Sequence, residues 1–247
     1  MSNEQRYKEF LKNPSWNARF VWTGLLGNGT RSTLSIMNYN KETSNLKNLQ
    51  FNNTLSFYKQ IKGQSELYKD WCSKKDKKLS VKELESLQLF FIGCIGEFFF
   101  VKMFEHKNNI LINGRMYTFY DICPRLTTDW DFGVDLTGRV NTSLNETYDC
   151  ALQVKFWSPF ANESFIDNKI AQSLHSDAVV NEMIDVKQKN NLFICWLGDM
   201  KNVSRWLQMK ENKLNEHIVF IDQDVLRKHI DGDAIFWEKI NLDISNI

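Results

Sequence analysis

The chain predicts an α/β fold: a mixed central sheet flanked by helices, behind an N-terminal extension of mostly helix and loop. Two observations carry this. Patterned segments run helix, three strands, helix, strand, helix, strand between residues 80 and 221. Composition supplies the core, with 43% hydrophobic residues and eight tryptophans in 247 residues. The division expected is a basic extension over residues 1–79 and a core over residues 80–247.

Residues 1 to about 56 are polar and rich in Asn, Ser and Thr, with Trp16, Arg19, Trp22 and Arg31 among them. Gly24, Gly27 and Gly29 fall short of a phosphate-binding loop because Thr30 and Arg31 follow where Lys and Ser/Thr are needed. Leu55, Tyr58, Ile61, Leu67 and Trp71 recur at helical spacing, with Gly63 as a weak point. Lys74, Lys75, Lys77 and Lys78 then read as a linker or a phosphate-contacting loop. Ser80-Val-Lys-Glu83 is a capping box that starts a helix running to about His106. Gln88, Gly93, Gly96, Glu97 and Lys102 break its most apolar stretch, Leu87 to Phe104, so no apolar run approaching the length of a membrane span is expected.

Ile110–Tyr120 reads as a strand pair around Asn113-Gly114. Phe132–Val140 and Tyr148–Trp157 follow as strands joined across Asn141–Glu146. Helices are expected over Phe165–Lys189 and Val203–Asn215. Asn191–Leu197 and Ile218–Ile221 read as buried strands, and Val225–Ile240 as a helix broken near Gly232.

The chemistry concentrates on the middle strands. Gln153 and Lys155 are two apart and so share a strand face. If the hairpin pairs in register, Asp135 faces them. An acid, an amide and a lysine at one spot can hold a hard cation and a polarised water. Glu97 stands out on its helix, because a carboxylate before Phe98, Phe99 and Phe100 is costly to bury unless paired or bound to a metal. A solvent-facing or salt-bridged glutamate is the bland alternative. Asp131 precedes Asp135 by four and competes as a further acid, whereas Asp149 reads as a strand-end turn residue. Histidines 106, 175, 217 and 229 give no pair at metal-ligand spacing.

The strings Asp131-Phe-Gly-Val-Asp135-Leu and Gln153-Val-Lys155 resemble the PD-(D/E)XK nuclease superfamily, most closely its Mrr-type branch. The resemblance covers roughly residues 81 to 222. Gln153 departs from the commoner acid, although Gln-x-Lys belongs to the Mrr-type pattern. Ser176, four places after Gln172, departs from the RecB-like Gln-x-x-x-Tyr. The resemblance implies Mg²⁺, with Mn²⁺ as a substitute, held by Asp135, the Val154 carbonyl and Glu97. It implies that Gln153 orients water or a ligand and that Lys155 polarises the nucleophilic water.

Net charge is +1, yet residues 1–80 hold 14 Lys/Arg against 6 Asp/Glu and the remainder 17 against 24. A phosphate-facing segment on an acidic core accounts for that skew, and so does a solvated basic face. Arg19, Arg31, the lysines at 74, 75, 77 and 78, and Lys169 and Gln172 are the candidate nucleic-acid contacts. Five widely spaced cysteines and a polar N-terminus fit a reduced, cytoplasmic protein. The leading expectation is a Mg²⁺-dependent DNA endonuclease, a type II restriction enzyme acting on double-stranded DNA as a homodimer. The alternatives are a structure-directed repair, junction or mobile-element nuclease, and a non-catalytic nucleic-acid-binding module.

Overall fold

The computed structural model describes residues 34–124, 135–142, 147–156, 192–197 and 218–247. The described chain is α/β, with a six-stranded mixed sheet and flanking helices. Contacts divide it into two units, one of Met1–Phe99 with Asp231–Ile247 and the other Phe100–Ile230.

The first unit is helical among its described residues. Helix α1 (Ile36–Thr43) is capped by Ser35, whose hydroxyl accepts from the Asn38 amide. Helix α2 (Thr54–Lys75) is capped by Asn53 and runs straight through Gly63. Helix α3 (Val81–His106) begins at the expected capping box: the Ser80 amide donates to Glu83 at 2.8 Å and the Glu83 amide donates back to Ser80 Oγ at 3.3 Å. The Ser80 hydroxyl also donates to the Glu83 carboxylate at 2.7 Å, and this bond first, with that from the Ser80 amide, holds the carboxyl below its ordinary range. The last helix, α5 (Ala234–Ser245), is capped by Asp233.

Aromatic side chains fill this unit. Tyr39, Tyr68, Trp71 and Phe91 pack edge-on and stacked, and Phe51, Phe57, Phe99, Phe236 and Trp237 form a second group. Their polar tips find partners, as buried polar groups must. The Tyr68 hydroxyl donates to the Leu34 carbonyl, and Trp71 Nε1 donates to Glu42. Asn241 exchanges two bonds with the backbone of Phe51.

Helix α3 corrects one expectation. By length and apolar composition it could cross a membrane, although 67% of its most apolar window is buried inside the protein. Its interruptions therefore do not shorten the apolar run. They sit within a helix that packs on protein.

The second unit holds the sheet. Strands β1 (Asn109–Ile112), β2 (Arg115–Pro124), β3 (Leu136–Thr142) and β4 (Thr147–Lys155) form an antiparallel meander. Strands β5 (Leu192–Trp196) and β6 (Ile218–Ile221) add on in parallel. Asn113 and Gly114, at φ of 51° and 78°, make the two-residue turn joining β1 to β2. Helix α4 (Gln223–Ile230) follows β6, capped by Asp222.

One face of the sheet carries Tyr117, Phe119 and Phe193, with Phe104 of α3 packed on Phe119 at a 4.5 Å ring separation. On β4, residues 150–154 are buried on both faces, as in the centre of a covered sheet. The strand ends differ from those read in the sequence: β3 starts at Leu136 and reaches Thr142, and β4 stops at Lys155. The helices expected over 165–189 and 203–215 lie outside the described residues.

Candidate functional site

Strands β3 and β4 pair with Leu136 opposite Leu152, Gly138 opposite Cys150 and Arg139 opposite Asp149. Continued by one residue, that register sets Asp135 opposite Gln153, as the spacing predicts. Asp135 leaves the ladder there. Its amide donates to the Leu152 carbonyl at 3.0 Å, and its carboxylate Oδ2 accepts from the Val154 amide at 2.7 Å. A charge-assisted bond of that length ties the end of β3 to the backbone between Gln153 and Lys155.

Backbone alternation fixes where the neighbouring carbonyl points. The Lys155 carbonyl accepts from the Leu197 amide on the β5 side. A strand residue directs its N–H and C=O to one edge, and successive residues alternate. The Val154 carbonyl therefore shares the edge on which its amide meets Asp135. A carboxylate and a carbonyl are hard oxygen donors of the kind Mg²⁺ takes while keeping several waters, so this donor chemistry suits that ion. Among the described residues, no group of three His, Cys, Asp or Glu side chains gathers closely enough to form a metal cluster.

Gln153 is buried at 4% exposure, and Lys155 is half-buried at the strand end. They alternate onto one face, beside Ile194 and Trp196 of β5, which are their register partners. Across from Val154 lies Cys195, whose thiol is pushed far up, by burial first and by the negative charge of Asp135 next.

Glu97 belongs to the first unit and is buried at 7% exposure. Its Oε1 lies over Gly93, 4.0 Å from where a Cβ there would stand, so the bare backbone one turn earlier makes room for the carboxylate. Asp149 is exposed, third in β4 and opposite Arg139, so it is a paired strand residue rather than a turn residue. Asp131, Arg19, Arg31, Lys169 and Gln172 lie outside the described residues.

The lysine cluster is split. Lys74 and Lys75 end α2, and Lys75 pairs with Glu42 at 2.7 Å and lies 5.7 Å from the Trp71 ring. Lys74, Lys77 and Lys78 are exposed.

Sequence reasoning missed a bulge beside the site. Between Tyr120 and Cys123 the β2–β3 register slips, and Asp121 adopts φ of 53°. A lone Gly138 inside a strand was the available signal. No family model, curated protein or solved structure matches the chain.

Proposed function

We propose that the chain is a divalent-metal-dependent DNA endonuclease with a restriction-endonuclease-like core of the PD-(D/E)XK kind. One observation carries the reading: the Asp135 carboxylate bonds to the backbone between Gln153 and Lys155. A bond from the acid to the residue between the amide and the lysine supports the closeness that the Asp…Gln-x-Lys pattern calls for.

The roles follow from the chemistry of each group. Asp135 and the Val154 carbonyl would hold Mg²⁺, or Mn²⁺ in its place, and the bound ion supplies charge neutralisation at the scissile phosphate. The Lys155 ammonium stabilises negative charge building on the phosphate and holds the attacking water. Gln153, as an amide, donates and accepts at once and so orients a water without adding charge. Glu97 enters the proposal on the family pattern alone. The substrate proposed is double-stranded DNA, cut at a specific site by a homodimer whose twofold axis matches the site, as in a type II restriction enzyme.

The test is cleavage of supercoiled plasmid with Mg²⁺, with and without EDTA, by the parent and by Asp135→Ala and Lys155→Ala. The expected result is metal-dependent cutting by the parent that both substitutions abolish. DNA binding without any metal-dependent nicking would replace the enzyme with a binding module. Undiminished cutting by both variants would reject these residues.

A further inference from the structure

Between the paired positions Tyr120–Arg139 and Cys123–Thr137, two residues of β2, Asp121 and Ile122, stand opposite the single Gly138 of β3. The extra residue shifts all that follows by one. Pro124 lies opposite Leu136, and Asp135 stands beyond the last paired position of the β2–β3 ladder. Without the bulge, Pro124 would face Asp135 and the aspartate would be a ladder residue.

Two features of the sequence hold the bulge. A Cβ at Gly138 would stand 2.4 Å from Ile122 Cδ1 and 2.8 Å from the Tyr120 carbonyl oxygen, so any larger residue must push β2 away. Asp121 takes the left-handed backbone at φ of 53°, which short polar residues tolerate. Its carboxylate accepts two bonds from the Arg139 guanidinium, next to Gly138 on β3. The bulge is thus pinned on both strands, three residues from Asp135. Bulges of this kind raise local twist and re-aim side chains.

We infer that Gly138 and Asp121 are positioning residues: their bulge frees the end of β3 from the β2 ladder so that the Asp135 carboxylate reaches the Val154 amide. The inference rests on the proposed function only in treating Asp135 as the working carboxylate. No contact of either residue with a substrate is involved.

Amide hydrogen exchange on the ¹⁵N-labelled full chain tests it. The Val154 amide, held by Asp135, is compared with two reference amides: Leu197, held by the Lys155 carbonyl, and Phe119, held by the Asn108 carbonyl. Asp121→Ala and Gly138→Ala are expected to speed Val154 exchange about tenfold relative to those references, the loss of one charge-assisted hydrogen bond. Asp121→Asn, which tolerates positive φ and keeps an acceptor oxygen for Arg139, is expected to keep the parent ratio. If Gly138→Ala does not fold, the exposed Asp121 pair of variants decides alone. An unchanged Val154 ratio in Asp121→Ala overturns the inference. The plasmid assay on the parent separates the two claims: a Val154 response with no cutting sinks the nuclease and leaves the positioning standing, whereas cutting with an unmoved ratio does the reverse.

Discussion

The Asp135 carboxylate joins two strand ends by accepting from the Val154 amide, so its charge and its length both matter. Asp135→Asn keeps the length and removes the charge. It is expected to cut DNA about 10²-fold slower or worse, because the electrostatic contribution of such a group is that large. A plasmid time course at fixed Mg²⁺ measures this, and parent-like rates would contradict it. Gln153→Glu places a second carboxylate beside the first on the strand face shared with Lys155. It is expected to tighten Mg²⁺ binding without a matching gain in rate, because the transition state must gain more than the ground state for cutting to speed up. Calorimetric titration of Mg²⁺ tests the placement, and weaker binding would count against it. At this scale the sequence was legible where spacing maps onto alternation: 153 and 155 two apart, with 135 falling opposite by register. It was less legible for Asp149, whose turn-like setting hid a position in β4 opposite Arg139.

Elements declared by local chemistry came out as read. The capping box at Ser80 and Glu83 starts α3, and Asn113-Gly114 turns β1 into β2, because both signals act within four residues. Strand ends depend on partners distant in sequence, which local patterning does not contain, and so β3 and β4 begin and stop elsewhere than expected. The bulge opposite Gly138 belongs to the same class, since only the pairing of β2 with β3 reveals it. The turn gives a clean prediction. Gly114 has φ of 78° and open space around it, so Gly114→Ala meets backbone strain and no clash. It is expected to cost about 1 kcal/mol in urea unfolding, the penalty for an L-residue in left-handed backbone. A variant as stable as the parent would contradict the turn geometry.

At the scale of the molecule, buried groups among the described residues that ionise at alkaline pH make stability depend on pH there. Burial pushes the Cys72 thiol up to about 12, with the Tyr68 bond opposing it. Burial also raises Cys150, Cys195 and the Tyr68 hydroxyl. In the unfolded chain a thiol ionises near 9, while folded Cys72 holds its proton to about 12. The unfolded state therefore binds fewer protons in that window, and stability must fall as pH rises through it. Urea midpoints under reducing conditions at about pH 8 and about pH 10.5 should decrease, and an unchanged or higher midpoint would contradict the burial of these groups. All five cysteines are free and four are buried, so Cys123, the least buried, is expected to react first with a thiol reagent. Charge is the coarsest feature, with a basic excess in residues 1–80 and an acidic one beyond. The lysines at 74, 77 and 78 show that part of this excess is exposed.

Mn²⁺ line broadening in the amide spectrum of the full chain tests most directly whether the ends of β3 and β4 hold a divalent ion, as proposed. At substoichiometric Mn²⁺ the signals of Asp135, Gln153, Val154 and Lys155 are expected to vanish first, and Asp135→Ala should abolish that selectivity. Broadening that begins elsewhere, or that is the same in Asp135→Ala, would contradict the site.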